Sequence, residues 1–400
     1  MKTSIKVAAL AGLAALVTAC GGGNDNFTAR QNLVDKLSSY ENVQSYITNV
    51  TGEDQLCFTN KYGWEHQCMG VDGMNIADTS WSPTGDAIAV LANNQRFPGC
   101  ENDCDLSIVE PKNNQSYSIW FMYDEAVPMI SPEKLLGWSA DGEFVYFLAQ
   151  TKFSPESDYQ IFRINPKGKE HYEGVGNSPL EARAEQISNY GSDVYISRFG
   201  DSVISPDGTY IALVFDSKKD LRTGIALAKT EPGSGMAIVA RDSSPWQGPN
   251  TGVEYFNPIF SPDGTKLLYQ SLANYGDDLE LMVADLKTGD KTVIYSADNN
   301  NSHIIGYAWA PNTNLIAVEF LPGEDNIWIV PADGSEKIRQ FTKCDTDALF
   351  ASWNSAGDTL TYSCGKNLLI QGLSGDAQII SGMERIFEYH LEQRPAGWAP

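Results

Sequence analysis

Seven cysteines, four histidines and a recurring Ser-Pro-Asp-Gly are where this 400-residue chain has the residue types to do chemistry. A metal centre needs Cys and His at short paired spacings. His66, His171, His303 and His390 stand far apart and none opens a two-ligand motif, so no metal and no cofactor is expected. A serine hydrolase of the elbow type needs Gly-x-Ser-x-Gly. Gly137-Trp-Ser-Ala-Asp-Gly misses it by one residue. Asp298-Asn-Asn-Asn-Ser302 has the oxygen-rich composition of a Ca²⁺ loop, and equally that of an ordinary polar loop. Asp207 and Asp263 look like paired acids, but each precedes a glycine, Gly208 and Gly264, in a tight-turn signature. No catalytic residue is assigned, and an enzyme is not expected.

The remaining chemistry depends on the address. The chain opens Met-Lys-Thr-Ser-Ile-Lys, followed by an apolar run from Val7 to Val17. Two lysines before such a run make residues 1–19 a secretory signal. The run is too short to cross a bilayer, which takes ~20 residues. Val17-Thr18-Ala19-Cys20 resembles the bacterial lipobox. The resemblance implies a lipoprotein in which Cys20 becomes the first mature residue and carries acyl chains. Gly21, not Asp, after that Cys implies the outer membrane, facing the periplasm or the cell surface. Residues 20–42 begin Cys-Gly-Gly-Gly-Asn-Asp-Asn and read as a flexible tether with room for a short helix over 28–41.

With Cys20 set aside, Cys57, Cys68, Cys100, Cys104, Cys344 and Cys364 remain. An even number in an exported chain reads as disulfides. A turn at Tyr62-Gly63 places Cys57 opposite Cys68. Cys100 and Cys104 share one loop. Cys344 and Cys364 flank two adjacent strands and meet at one sheet edge.

Those strands belong to a repeat. One phrase recurs at Trp81-Ser-Pro-Thr-Gly-Asp, Trp138-Ser-Ala-Asp-Gly-Glu, Ile204-Ser-Pro-Asp-Gly-Thr, Phe260-Ser-Pro-Asp-Gly-Thr, Trp309-Ala-Pro-Asn-Thr-Asn and Trp353-Asn-Ser-Ala-Gly-Asp. The intervals are 57, 66, 56, 49 and 44 residues, and a truncated copy ends the chain at Trp398. A large apolar residue closes one strand, Pro and Gly make the turn, and a β-branched or aromatic run forms the next strand. The recurring Trp81, Trp138, Trp309, Trp353 and Trp398 fill gaps between repeats; a sugar-stacking platform is the functional alternative. A third and a shorter fourth strand follow each copy, as in Asp278-Leu-Glu-Leu-Met-Val and Lys291-Thr-Val-Ile-Tyr. Four antiparallel strands per repeat is the pattern of a β-propeller blade.

The phrase resembles the WD40-like repeat of TolB-type propellers and of the propeller domains of prolyl oligopeptidase relatives, over residues 78 to 400. The resemblance implies an all-β propeller over residues 43–400, without the α/β domain that precedes the propeller in TolB. Seven four-stranded blades are expected, with six as the alternative if residues 395–400 are only a tail. The seventh would take its first strand from the C-terminus and the others from 43–50, 55–59 and 64–69, closing the ring.

The balance of 28 basic against 51 acidic residues gives a net charge of −23, which excludes a nucleic-acid grip. Loss of Lys2 and Lys6 with the signal takes it to −25, so acyl chains alone must hold the membrane. A propeller so charged reads as a protein-binding or scaffold module of the cell envelope, favouring cationic partners. Its small-molecule ligand, if any, is not readable. The long insertions at 97–104, 120–134 and 168–200 are where a partner would touch. A propeller hydrolase or lyase acting on cell-wall or polysaccharide material is the alternative. Replacing Cys20 with Ala is expected to abolish palmitate labelling and release the protein from the membrane fraction.

Overall fold

The computed structural model describes residues 44–48, 55–59, 66–70, 75–93, 104–110, 115–121, 130–151, 159–166, 180–182, 184–188, 190, 194–197, 202–217, 223–241, 253–273, 278–298, 303–321, 326–335, 338–344, 348–354, 356–365, 367–382 and 392–393. The expected signal, Cys20, the tether with its helix, Cys100, Asn299–Ser302 and the last phrase with Trp398 lie outside the described residues.

The recurring phrase makes the same turn each time. In the third copy the Ser205 amide donates to the Tyr210 carbonyl (2.7 Å) and the Gly208 amide donates to the Ser205 carbonyl (2.8 Å). The pair repeats at Ser82 and Gly85, Ser139 and Gly142, Ser261 and Gly264, and Asn354 and Gly357. Each of these glycines has a positive φ, between 67° and 73°. The fifth copy has Thr313 where the others have Gly, and there Asn312 takes the left-handed conformation (φ 58°). The turns also abut. A Cβ on Gly208 would lie 2.7 Å from the Ala140 amide of the preceding turn, and one on Gly264 would touch Pro206 at 3.9 Å.

From each turn the chain runs outward through antiparallel ladders. Lys266–Ala273, Asp278–Asp285 and Lys291–Asp298 follow Val253–Phe260 in order across one sheet. The fifth and sixth copies build two more four-stranded sheets in the same way. Near the chain ends, Gln44–Thr48, Gln55–Thr59 and His66–Gly70 form a sheet with Glu392–Gln393. The chain ends do share a sheet, but the strand that closes it is Glu392–Gln393.

By hydrogen-bonded sheet the propeller has six blades, not the seven expected. The expectation assigned one sheet to each phrase. The second and third copies instead lie in a single nine-stranded sheet, because Val194–Ile196 pairs with both Tyr159–Ile164 and Tyr210–Ser217 and joins them. The first copy's sheet has a fifth strand, Leu180–Ala182, added in parallel to Gln115–Phe121.

The core lies between copies. The second strand of each sends alternate side chains to its two neighbours. Ile88, Val90 and Ala92 meet Leu56 and Phe58 of the N-terminal sheet. Ala89 and Leu91 meet Val145, Phe147 and Ala149 of the second copy. Tyr146 and Leu148 meet Ile211, Leu213 and Phe215. Ala212 and Val214 meet Leu267 and Tyr269. The pattern continues through Leu268 with Ile316 and Val318, and Ala317 with Leu360 and Tyr362. These strands are apolar on both faces because both faces are interfaces, each buried Leu or Ile contributing about 1.5–3 kcal/mol.

Gly208 therefore faces both a left-handed backbone and a neighbouring turn, while Gly289 (φ 79°) faces open space. Gly208→Ala is expected to cost about 2–5 kcal/mol and Gly289→Ala about 1–2 kcal/mol in denaturant unfolding. Equal losses would mean that the turns do not press on one another.

Candidate functional site

Except in the third copy, whose Val203–Ile204 lies off the main path of the nine-stranded sheet, the first strand of each copy lies at one edge of its sheet, and these first strands touch in cyclic order. Asn75–Trp81, Ile130–Trp138, Val203–Ile204, Val253–Phe260, His303–Trp309, Ala348–Trp353 and Glu392–Gln393 line the axis. Their ladders are irregular at related places, between Ile76 and Asp78, Pro132 and Lys134, Phe256 and Ile259, Ile304 and Gly306, and Leu349 and Ser352. A bulge takes backbone groups off the ladder, and buried ones must find other partners.

Side chains of the neighbouring sheet supply several. The Asp78 carboxylate accepts from the Leu135 amide at 3.0 Å. The Gln270 amide donates to the Ile304 carbonyl at 3.3 Å. The Tyr307 hydroxyl donates to the carbonyl of Asn257, which sits in its bulge at φ 50°. The tryptophans act likewise at the strand ends. Trp138 Nε1 donates to the Ser80 carbonyl (2.9 Å), Trp353 Nε1 to the Ala308 carbonyl (3.0 Å) and Trp81 Nε1 to Ser45 Oγ (2.8 Å). Their rings are 4–8% exposed. Trp309 is half-buried against the cluster of Ile316 and Val318. Trp81, Trp138 and Trp353 thus face the preceding sheet.

The turn aspartates are held by their own turns. Asp207 accepts from the Ser205 hydroxyl (2.6 Å) and the Thr209 amide (3.0 Å). Burial opposes its charge, but these bonds outweigh it and leave its pKa below the usual carboxylate range. The Ser261 hydroxyl and the Thr265 amide lower Asp263 in the same way. Asp207 and Asp263 are in separate turns, each bonded within its own.

Three polar groups on the second strands of the copies were not picked out from the sequence. Glu319 is buried, only 7% exposed, its carboxylate lying over Gly306, where a Cβ would be 3.0 Å from Oε2. Gly306 makes the room for it. Asp216 is half-buried, and its pKa is raised by burial and by the nearby Glu254, against a hydrogen bond from Ser197. Tyr269 is fully buried with its hydroxyl unpartnered among the described residues, and burial raises its pKa. The one sequence signal was a carboxylate inside an apolar run, as in Leu315-Ile-Ala-Val-Glu-Phe-Leu. A carboxylate buried beside the axis can hold a proton or a cationic group.

Cys344 and Cys364 form a disulfide with a Cα–Cα distance of 5.8 Å. It ties the end of the fifth copy to the second strand of the sixth. The Cys344 side is held further by Asn326, whose side-chain oxygen accepts from the Cys344 amide and the Thr342 hydroxyl. Cys57 is disulfide-bonded and stands in register with Cys68. Cys104 begins the strand Cys104–Glu110. Among the described residues no three His, Cys, Asp or Glu side chains are grouped to hold a metal ion.

No protein-family model matches the chain. No curated protein matches it either. Solved structures do. An oligogalacturonate lyase from Vibrio parahaemolyticus is 9% identical over 87% of this chain and 87% of its own, with a TM-score of 0.53. Prolyl oligopeptidase B from Galerina marginata is 10% identical over 92% of this chain, which spans only 54% of the oligopeptidase, with a TM-score of 0.50. A putative TolB from Agrobacterium tumefaciens is 17% identical over 69% of this chain and 88% of its own, with a TM-score of 0.42. At such identities the first two bear on the fold alone, and that fold is the β-propeller of the repeat.

Asp216 yields a signed prediction. A raised carboxylate pKa disfavours the native state above that pKa and ceases to matter below the unfolded value. Asp216→Asn is therefore expected to raise the melting temperature at neutral pH, the gain fading as pH falls through the acid range. A gain that persists in acid would mean that charge is not its origin.

Proposed function

We propose that the protein is an exported lipoprotein, anchored in the outer membrane by an acylated Cys20, whose propeller serves as a protein-binding or scaffold module of the cell envelope. The observation that carries this reading is where the repeated polar residues go. The Trp indoles, the turn Ser and Asp side chains and Asp78 are engaged in holding turns and neighbouring sheets in place. Such a ring is a rigid display surface, and rim loops and edges are what it offers to others. The Cys344–Cys364 disulfide suits an oxidising compartment outside the cytosol.

One face of the ring carries the turn carboxylates Asp86, Asp141, Asp207, Asp263 and Asp358, in a chain of net charge −23. Hydrogen bonds to the Ser139 and Asn354 side chains lower Asp141 and Asp358, as like bonds do Asp207 and Asp263. A partner with basic groups is favoured, and none that is nucleic acid. Capture of an envelope protein by the purified chain is expected to weaken between ~50 and ~500 mM salt, over which screening lengths shrink roughly threefold. No capture at either strength would overturn the binding reading.

Glu319 favours the second reading, a propeller enzyme acting on polysaccharide or cell-wall material, because a buried carboxylate beside the axis is a candidate general acid or base. Turnover of oligosaccharide substrates, reduced at least a hundredfold in Glu319→Gln, would establish it. Absence of turnover across such a panel would remove it.

A further inference from the structure

Every strand pairing among the described residues is antiparallel except one. Leu180–Ala182 lies parallel to Gln115–Phe121, the outermost strand of the first copy's sheet, with Leu180 opposite Ile119, Glu181 opposite Trp120 and Ala182 opposite Phe121. The segment does not belong to that copy. It arrives after Tyr159–Ile164 of the second copy and then turns back to it, since Glu185–Gln186 pairs with Phe162 and Arg163. One short stretch thus bridges two copies, with Ala184 packed against the cluster between them.

The two ends of this strap are held unequally. On the second copy, Arg163 pairs with Glu185 at 2.6 Å and stacks on Phe144 at 4.4 Å. The Ile187 amide donates to the Ile161 carbonyl (2.8 Å), and the Ser188 hydroxyl accepts from the Ile161 amide (2.8 Å) and donates to Gln160 (2.5 Å). On the first copy the hold is a parallel ladder over three residues of a seven-residue strand. Parallel pairing is the weaker kind per residue, and a short ladder opens first. Over Gln115–Ser118 the outer edge has no partner strand among the described residues.

We propose that the outer edge of Gln115–Phe121 is a strand-acceptor site, occupied at rest by the chain's own Leu180–Ala182, at which an extended segment of a partner protein adds in parallel by displacing it. The occupant's chemistry is read from the resident strand: an extended run with an aliphatic, a polar and a small residue in that order. Main-chain hydrogen bonds to an open sheet edge supply affinity, and the alternation supplies register. Displacement frees only the weakly held end, because Glu185–Ser188 stays fastened to the second copy. The identity of the occupant as an envelope protein rests on the binding-module reading; the acceptor edge does not, and the chain's own strand tests it.

The probe is a labelled peptide of residues 176–184, added to the intact protein and to Glu181→Pro, which removes the central amide of the resident strand. The variant is expected to bind the peptide at least tenfold more tightly than the unaltered protein. Equal binding to both, or none to a variant that still melts cooperatively, overturns the proposal. Should the variant not fold, hydrogen exchange on the unaltered protein decides. The amides of Ile119–Phe121 that face the strap are expected to exchange at least tenfold faster than those of Ile161–Arg163, and equal protection overturns the proposal. Failed peptide capture beside successful envelope capture would sink the acceptor edge alone; the reverse pair would sink the binding-module reading alone.

Discussion

A bulged strand cannot satisfy its own backbone, and in this propeller the strands along the axis are bulged. Their displaced amides and carbonyls are buried where water cannot serve them, at a cost of ~1–3 kcal/mol for each group left unpaired. The partners come from the neighbouring sheet: Asp78 for Leu135, Gln270 for Ile304, Tyr307 for Asn257. At these seams neighbouring copies complete one another's hydrogen bonding. The apolar clusters provide most of the free energy between copies, but these polar ties fix the angle and height at which one copy meets another. The recurring indoles add a second set at the strand ends, reaching a main-chain carbonyl from Trp138 and from Trp353.

The ring is not uniform. Nine residues after the turn's first residue, the second strand carries Leu91, Leu148 and Val214 in the first three copies, and Gln270, Glu319 and Ser363 in the last three. All six sit on the face turned to the following copy. The first half of the ring is sealed there by hydrocarbon, the second by polar groups. Gln270, Glu319 and Ser363 are all buried, so the later seams exchange some hydrophobic burial for directional bonding. The disulfide between Cys344 and Cys364 falls in this polar half, beside the Asn326–Thr342 network.

The turns were legible in the sequence because their chemistry is local: Pro, Asp and Gly at fixed offsets determine the conformation whatever surrounds them. The Cys344–Cys364 bond was legible for a similar reason, since strand spacing alone brings the two to one edge. What could not be read is non-local. Val194–Ile196 looks like any short β-branched run, and nothing in it announces pairing on both sides, which merges two expected sheets into one. Leu180–Ala182 carries too little pattern to reveal that it leaves its own copy. Glu319 stands inside an apolar run, but a carboxylate in a strand becomes informative only when Gly306 is seen to make room beneath it.

The sheet shared by the two chain ends has a mechanical meaning. The chain enters the described structure at Gln44, and Gln44–Thr48 lies between Gln55–Thr59 on one side and Glu392–Gln393 on the other. Tension applied from the N-terminal side would load that strand lengthwise, so its ladder to Gln55–Thr59, five residue pairs long, would bear the pull in shear and yield together, not one bond at a time. The two-residue contact with Glu392–Gln393 would give way first and open the ring at its seam while the repeats stayed folded. Held from its N-terminal side, as the proposed anchoring would hold it, a ring built this way has a force-sensitive clasp beside the point of attachment.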